Sequence, residues 1–144
     1  MTQKGVHLIC EKCSRSFRRE AQPLLSAAMA YSYLRAMASS KVERLVGLYL
    51  NTQGRPLRRV TIAVGTVNRT AALPREIFRP AILCQAVGVI LAHNHPSGSL
   101  TPSQDDVAFS RAIAHAGQVI GIQVYDHLIV SRNGYASLKD MGLI

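Results

Sequence analysis

Two histidines separated by one residue stand near the middle of the chain. His93 and His95 directly follow the apolar run 86–92, whose short length and β-branched residues predict a buried strand. Side chains of a strand alternate between its two faces, so residues i and i+2 point the same way. We therefore expect both imidazoles to leave the strand end side by side, where they could share a metal ion.

A third candidate ligand lies beyond the loop that follows. Residues 96–98, Pro-Ser-Gly, break the strand, and Ser103-x-x-Asp106 opens a segment of helical periodicity. Helix capping alone can explain Ser103 and Asp106, and a His-x-His pair at a strand end is often only a hydrogen-bonded pair. The combined pattern is more restrictive. Two imidazole nitrogens and one carboxylate oxygen suit zinc and leave its fourth position for water, as in a catalytic site.

The spacing of these residues resembles a known motif. His93-x-His95, seven intervening residues and Ser103-x-x-Asp106 resemble the JAMM motif of the JAB/MPN metalloproteases. The longer string at 92–103, A-H-N-H-P-S-G-S-L-T-P-S, resembles the RadC branch of that superfamily. Further RadC-like segments follow the family's order at 65–68, 74–78, 126–130 and 142–144. The resemblance covers residues 40–144.

The resemblance implies a zinc-dependent hydrolase of peptide or isopeptide bonds. In that reading His93, His95 and Asp106 bind Zn²⁺, a glutamate acts as general base on the bound water, and the Ser103 hydroxyl stabilises the developing oxyanion. The substrate would be a peptide or protein of unknown identity.

Two of the four glutamates are candidates for the general base. Glu11 and Glu20 lie in a basic lead-in, which leaves Glu43 and Glu76. Glu43 starts a predicted strand about fifty residues before the histidines, and the JAMM family has its catalytic glutamate on an early strand in a comparable position. Glu76 falls in the first turn of a predicted helix, where an acidic residue has an ordinary stabilising role. We therefore prefer Glu43.

Three helices are predicted around these residues. Helical periodicity indicates a helix over 22–38. A second helix should open at 74–76, and Pro80 should either kink it or make it begin later than Pro74. The third helix should run from Ser103 to near Gly117.

Apolar runs between turn residues predict the strands, at 42–50, 55–64, 86–92, 119–124 and 127–130. Asn133-Gly134 then predicts a hairpin turn. This mixture indicates a sheet with helices on its faces, α/β or α+β in class. Resemblance to the JAB/MPN family implies a three-layer, cytidine-deaminase-like fold. We interpret His127, in the RadC-like string 126–130, as a structural imidazole near a strand start.

The chain divides into a basic segment, residues 1–20, and one RadC-like domain, residues 21–144. The composition of the first segment is compatible with flexibility. Cys10-x-x-Cys13 within it is half of a zinc-ribbon pattern, but Cys84 is far off and His7 is the only nearby imidazole. We therefore interpret the cysteine pair as unrelated to metal binding. An odd number of cysteines argues against a disulfide framework.

The net charge and the distribution of apolar residues limit which classes of partner are expected. Seventeen basic and eight acidic side chains give a net charge of +9, which attracts polyanions. DNA contact through a basic surface is therefore an alternative expectation, and the RadC label "DNA repair protein" implies a DNA-associated accessory role without peptidase activity. No stretch approaches the roughly 18 apolar residues of a membrane span. We expect a cytoplasmic protein without a membrane partner.

A nucleobase deaminase, which shares the implied fold type, is disfavoured. Its signature needs His-x-Glu followed by Pro-Cys-x-x-Cys. The chain has neither in that order.

Overall fold

A six-stranded mixed sheet forms the middle layer of the protein. The computed structural model describes residues 14–16, 21–65 and 72–144, the first of these ranges as backbone only. The strands are β1 (Ser14–Ser16), β2 (Arg44–Leu50), β3 (Pro56–Val64), β4 (Gly88–Asn94), β5 (Gln123–Ser131) and β6 (Gly134–Ser137). Their order across the sheet is β1-β3-β2-β4-β5-β6, and only the β4–β5 pair is parallel.

Helices cover both faces of this sheet. They are α1 (Ala27–Leu34), continued by a 3-10 turn (Arg35–Ser39), then α2 (Pro74–Leu83) and α3 (Gln104–Ile120). Leu34 and Met37 pack with Leu48 and Leu128 on one face. On the other face, side chains of α2 and α3 pack against β2 and β4, among them Phe78, Ile113, Leu45 and Leu91. Helices on both faces of a mixed sheet confirm the predicted α/β class and are consistent with a JAB/MPN fold.

Strand β4 is the centre of the sheet. Every one of its residues is buried, and its neighbours are β2 on one side and β5 on the other. Its odd-numbered residues, such as Val89 and Leu91, face α2 and α3, whereas Ile90 and Ala92 face α1. His93 therefore leaves the sheet on the α3 side.

Several predicted boundaries were wrong. The first helix begins at Ala27 rather than at 22, because the Ser26 hydroxyl accepts the Met29 N–H and caps it there. The second begins at Pro74 and contains Pro80, so Pro80 does not delay its start. The third passes Gly117 and ends at Ile120, because the left-handed residue that terminates it is Gly121, with φ of 82°.

The strand predicted at 119–124 was largely wrong, whereas the strand predicted at 127–130 is confirmed as part of a longer strand. Residues 119–120 belong to the last turn of α3, and the single strand β5 begins at Gln123 and continues through Asp126 and His127. Both polar side chains are buried and hydrogen-bonded, so they do not interrupt the strand. The predicted hairpin at Asn133-Gly134 joins β5 to β6 and is confirmed.

The remaining predictions at the N-terminus fall outside the described residues. Cys10 and Cys13 are among these positions, as are Glu11 and Glu20. Within the described part of the chain, no helix combines the length and apolar character needed to cross a membrane.

Candidate metal centre

Three side chains nominated by the sequence meet where β4 ends and α3 begins. Nε2 of His93 lies 2.8 Å from Nε2 of His95. The Asp106 carboxylate completes the group, with Oδ1 3.3 Å from His93 Nε2 and Oδ2 3.4 Å from His95 Nε2. His93 is buried, while His95 and Asp106 are partly exposed, so the group opens to solvent on one side.

The spacing of these donor atoms suits a tetrahedral zinc ion. Ligand bonds of 2.0–2.1 Å at tetrahedral angles put neighbouring donor atoms about 3.3–3.4 Å apart. Both nitrogen–oxygen distances match this value, and the nitrogen–nitrogen distance of 2.8 Å is somewhat shorter. The donor set is two imidazoles and one carboxylate, which leaves a fourth position for water. The residues present therefore fit the ion.

The start of α3 orients Asp106. The Ser103 hydroxyl accepts the Asp106 backbone N–H at 3.0 Å, and Asp106 Oδ2 accepts the Ser103 N–H at 2.8 Å, which together form a capping box. Burial by itself would raise the pKa of the Asp106 carboxyl, but its contacts with His93 and Ser103 hold that pKa well below its usual range. The carboxylate is therefore ionised and available to a cation.

The loop after β4 orients His95. Its Nδ1 lies 3.0 Å from the Ser99 carbonyl oxygen, which can only accept, so Nδ1 carries a proton and the lone pair of the neutral ring is on Nε2. Gly98, with φ of 87°, allows the chain to bend tightly between His95 and Ser99. Its carbonyl oxygen accepts the Asn133 side-chain amide at 3.1 Å. The loop is thereby tied to the β5–β6 turn.

Glu43, the preferred general base, lies directly before β2 and is partly buried. Leu45 pairs with His93 in the antiparallel β2–β4 ladder. Continuing that register by two residues would set Glu43 opposite His95, on the same face of the sheet.

The backbone around Glu43 is attached to β4 by Asn94. This fully buried side chain accepts the Arg44 N–H at 2.7 Å and donates to the Val42 carbonyl at 3.1 Å. The residue between the two histidines thus clamps the chain on both sides of Glu43. Glu76 is differently placed, in the first turn of α2, where it accepts from Arg75 Nε at 3.0 Å and is half exposed.

The sequence did not indicate that His127 adjoins the candidate ligands. Its Nε2 lies 2.8 Å from His93 Nδ1, and its Nδ1 lies 2.5 Å from the Ser110 hydroxyl. Burial is the main cause that holds the pKa of His127 well below its ordinary value, so the ring is neutral. The only sequence signal was a polar pair inside the apolar run of β5, and that signal does not reveal a partner 34 residues away.

Comparison with known proteins decides the family. Residues 24–143 match the model of the RadC-like JAB domain. The chain belongs to this family. The RadC-like resemblance of the sequence is therefore confirmed, and it extends to α1, which precedes the segments that first suggested it.

Similar RadC-family proteins occur in distant bacteria. The UPF0758 protein of Desulforamulus reducens is 46% identical over 102 residues, 71% of this chain and 45% of that protein. The Enterococcus faecalis protein is 40% identical over 115 residues (80% and 50%), and the Thermotoga maritima protein 35% over 142 residues (99% and 64%). The chain spans about half the length of the first two relatives. Their names state no activity.

Proposed function

We propose that this RadC-like domain is a zinc-dependent hydrolase of peptide or isopeptide bonds. The observation that carries the proposal is the convergence of His93 Nε2, His95 Nε2 and the Asp106 carboxylate at the spacing of a three-ligand zinc site. Membership of the JAB family, whose JAMM motif the same residues match, supports it.

Zinc bound by these residues would lower the pKa of a coordinated water from about 15.7 to about 7 and polarise a carbonyl group. Glu43 then takes one proton from the attacking water as its oxygen bonds to the carbonyl carbon. The same carboxyl returns that proton to the amine nitrogen as the carbon–nitrogen bond breaks, so the products are one carboxylic acid and one amine.

Ser103 stabilises the carbonyl oxygen as negative charge develops on it. Its hydroxyl accepts the Asp106 N–H through a lone pair, which leaves the hydroxyl proton available to donate. Capping of α3 and stabilisation of an oxyanion are therefore compatible roles. A hydrogen-bond donor of this kind contributes about 3–4 kcal/mol at the transition state.

Metal binding is tested first. The protein is stripped with a chelator, dialysed against zinc and measured by elemental analysis; we expect one zinc per chain in the wild type and none in His93→Ala or His95→Ala. His115→Ala is the matched control, because His115 is exposed on α3 and stands outside the three-ligand group. Absence of stoichiometric zinc from the wild type would overturn the proposal.

Catalysis is tested with a proteome-derived peptide library, whose new amino termini are identified by mass spectrometry. The zinc-loaded wild type should cleave a subset of peptides. Glu43→Gln should retain zinc and lose cleavage, whereas Glu76→Gln should behave as the wild type. Cleavage by Glu43→Gln at the wild-type rate would exclude Glu43 as the general base.

A further inference from the structure

A chain of buried polar groups leads away from His93 on the side opposite the candidate ligands. His93 Nδ1 contacts His127 Nε2 at 2.8 Å, and His127 Nδ1 contacts Ser110 Oγ at 2.5 Å. Ser110 Oγ in turn lies 2.6 Å from the backbone carbonyl oxygen of Asp106. Ser110 and His127 are fully buried and His93 is nearly so. Each of these groups must therefore be satisfied by its neighbour in the chain.

The carbonyl at the end of the chain determines where the protons lie. A carbonyl oxygen can only accept, so the Ser110 hydroxyl donates its single proton to Asp106. Ser110 must then accept from His127 Nδ1–H. A neutral imidazole has one N–H, so His127 Nε2 accepts the proton on His93 Nδ1. With Nδ1 occupied in this way, the lone pair of a neutral His93 ring can only be on Nε2, which faces Asp106 and His95.

The opposite proton order is less favourable. If His127 donated from Nε2, Ser110 would have to donate to His127 Nδ1, and the 2.6 Å contact between Ser110 and the Asp106 carbonyl would have no proton. His93 would then carry its proton on Nε2. That atom would be blocked as a metal ligand.

We infer that Ser110 and His127 are positioning residues, which hold His93 in the tautomer whose Nε2 lone pair faces the candidate metal centre. The inference rests on the proposed function for its consequence, which is tighter binding of zinc. A hydrogen-bonded partner on the second nitrogen of a ligand histidine fixes both the tautomer and the orientation of its ring.

The backbone of β5 is shaped to present His127. In the parallel β4–β5 ladder, Val89 pairs with Val124 but Ile90 pairs with Asp126, so Tyr125 is an extra residue and forms a bulge. After the bulge, His127 lies beside Leu91, on the face of β4 that carries His93. The Asp126 carboxylate accepts the backbone N–H of His127 at 2.7 Å and the Ser137 hydroxyl at 2.7 Å. The bulge at Tyr125 and the hydrogen bonds of Asp126 thus place the His127 ring against the His93 ring.

The first test reads the protons directly in the zinc-free protein. Long-range proton–nitrogen NMR spectra of ¹⁵N-histidine-labelled wild type distinguish the two neutral tautomers of each ring. We expect His127 to be protonated on Nδ1 and unprotonated on Nε2. An Nε2–H tautomer of His127 would overturn the inference.

The second test measures zinc affinity by competition with a chromophoric chelator. His127→Leu removes the acceptor for His93 Nδ1–H and should weaken zinc binding about 10–100-fold. His127→Gln keeps an amide oxygen near the position of Nε2 and should restore most of that affinity. Ser110→Ala frees His127 to adopt either tautomer and should give an intermediate loss.

Phe109→Leu is the control for packing alone. Phe109 meets the His127 ring edge at a centroid distance of 6.1 Å but donates no hydrogen bond to it. Unchanged zinc affinity in Phe109→Leu, together with loss in His127→Leu and rescue in His127→Gln, supports the inference. Equal affinities of His127→Leu and the wild type would overturn it. If the wild type binds no zinc, the proposed function fails, and the NMR tautomer alone decides the hydrogen-bond chain.

Discussion

Replacing Asn94 tests whether its hydrogen bonds hold the backbone around Glu43, the candidate general base, against strand β4. In Asn94→Ala, the Arg44 N–H loses its acceptor at 2.7 Å, which for a buried donor costs about 1–3 kcal/mol. The Val42 carbonyl loses the Asn94 amide at 3.1 Å but keeps the Ser40 hydroxyl at 2.7 Å. That second loss costs only about 0.5–1.5 kcal/mol, the net value of one hydrogen bond. We expect the free energy of unfolding to fall by about 3 kcal/mol in total.

The isosteric change Asn94→Asp separates hydrogen bonding from volume. The new carboxylate can still accept the Arg44 N–H, but its second oxygen faces the carbonyl oxygens of Val42 and Ser40 in place of a donor. Asn94→Asp should therefore destabilise the protein at pH 7 as much as Asn94→Ala. The loss should shrink in acid, where the protonated carboxyl donates to a carbonyl again.

Urea denaturation at several pH values measures both variants. Asn133→Ala is the matched control, because Asn133 is exposed and its removal should cost less than about 1 kcal/mol. Hydrogen exchange should show faster exchange at Arg44 with β4 still protected, and zinc affinity should be preserved, because the Asn94 side chain lies on the face opposite to His93. If the free energy of unfolding of Asn94→Ala were within about 0.5 kcal/mol of the wild-type value, the Asn94 hydrogen bonds would not stabilise this part of the fold as argued.

Three other perturbations address Asp106 and the helix that carries it. Asp106→Asn can still accept the Ser103 N–H, so it should lose zinc in a chelator competition but keep the helix cap. It should lose only the stability that the ionised carboxylate adds near neutral pH. Ser103→Ala should keep zinc and lose about 1 kcal/mol of stability with its cap, and the reverse pattern would contradict these roles. Burial alone would raise the pKa of Asp106 in the folded state, but contacts with His93 and Ser103 lower it. The ionised carboxylate therefore stabilises the folded state fully above about pH 4, and this contribution is lost as the pH falls further. Acid unfolding of the zinc-free wild type should therefore be steeper than that of Asp106→Asn; equal slopes would contradict the lowered pKa. Gly117→Ala should cost about 1–3 kcal/mol in urea, because its Cβ would overlap the Ile122 carbonyl oxygen and lie 3.2 Å from the Phe78 ring; wild-type stability would show that α3 can shift.

Local patterns in the sequence predicted the ligand-bearing part of the site. The apolar run before His93 and the capping signal at Ser103 both act within a few residues, so β4 and the start of α3 lie close to where they were expected. The helix end at Gly121 was missed because two glycines compete, and only their backbone conformation and packing show which one terminates the helix.

The supporting part of the site could not be predicted, because it depends on pairing between distant segments. His127 reaches His93 only through the parallel β4–β5 register and the bulge at Tyr125. Asn94 contacts Val42 and Arg44 only through the antiparallel β2–β4 register. Neither register has a local signature, and buried polar residues in an apolar run suggest a strand end unless their partners are known.

The described contacts close into a ring that passes through Asp106 twice. Its backbone carbonyl anchors Ser110, Ser110 holds His127, and His127 holds His93. His93 then returns through Nε2 to the Asp106 carboxylate at 3.3 Å. A displacement of α3 would therefore move a candidate ligand and the anchor of its partner together, so the relative position of His93 and Asp106 is determined from both sides. This coupling explains why one strand–helix–strand unit, β4-α3-β5, can preorganise a site of only three ligands.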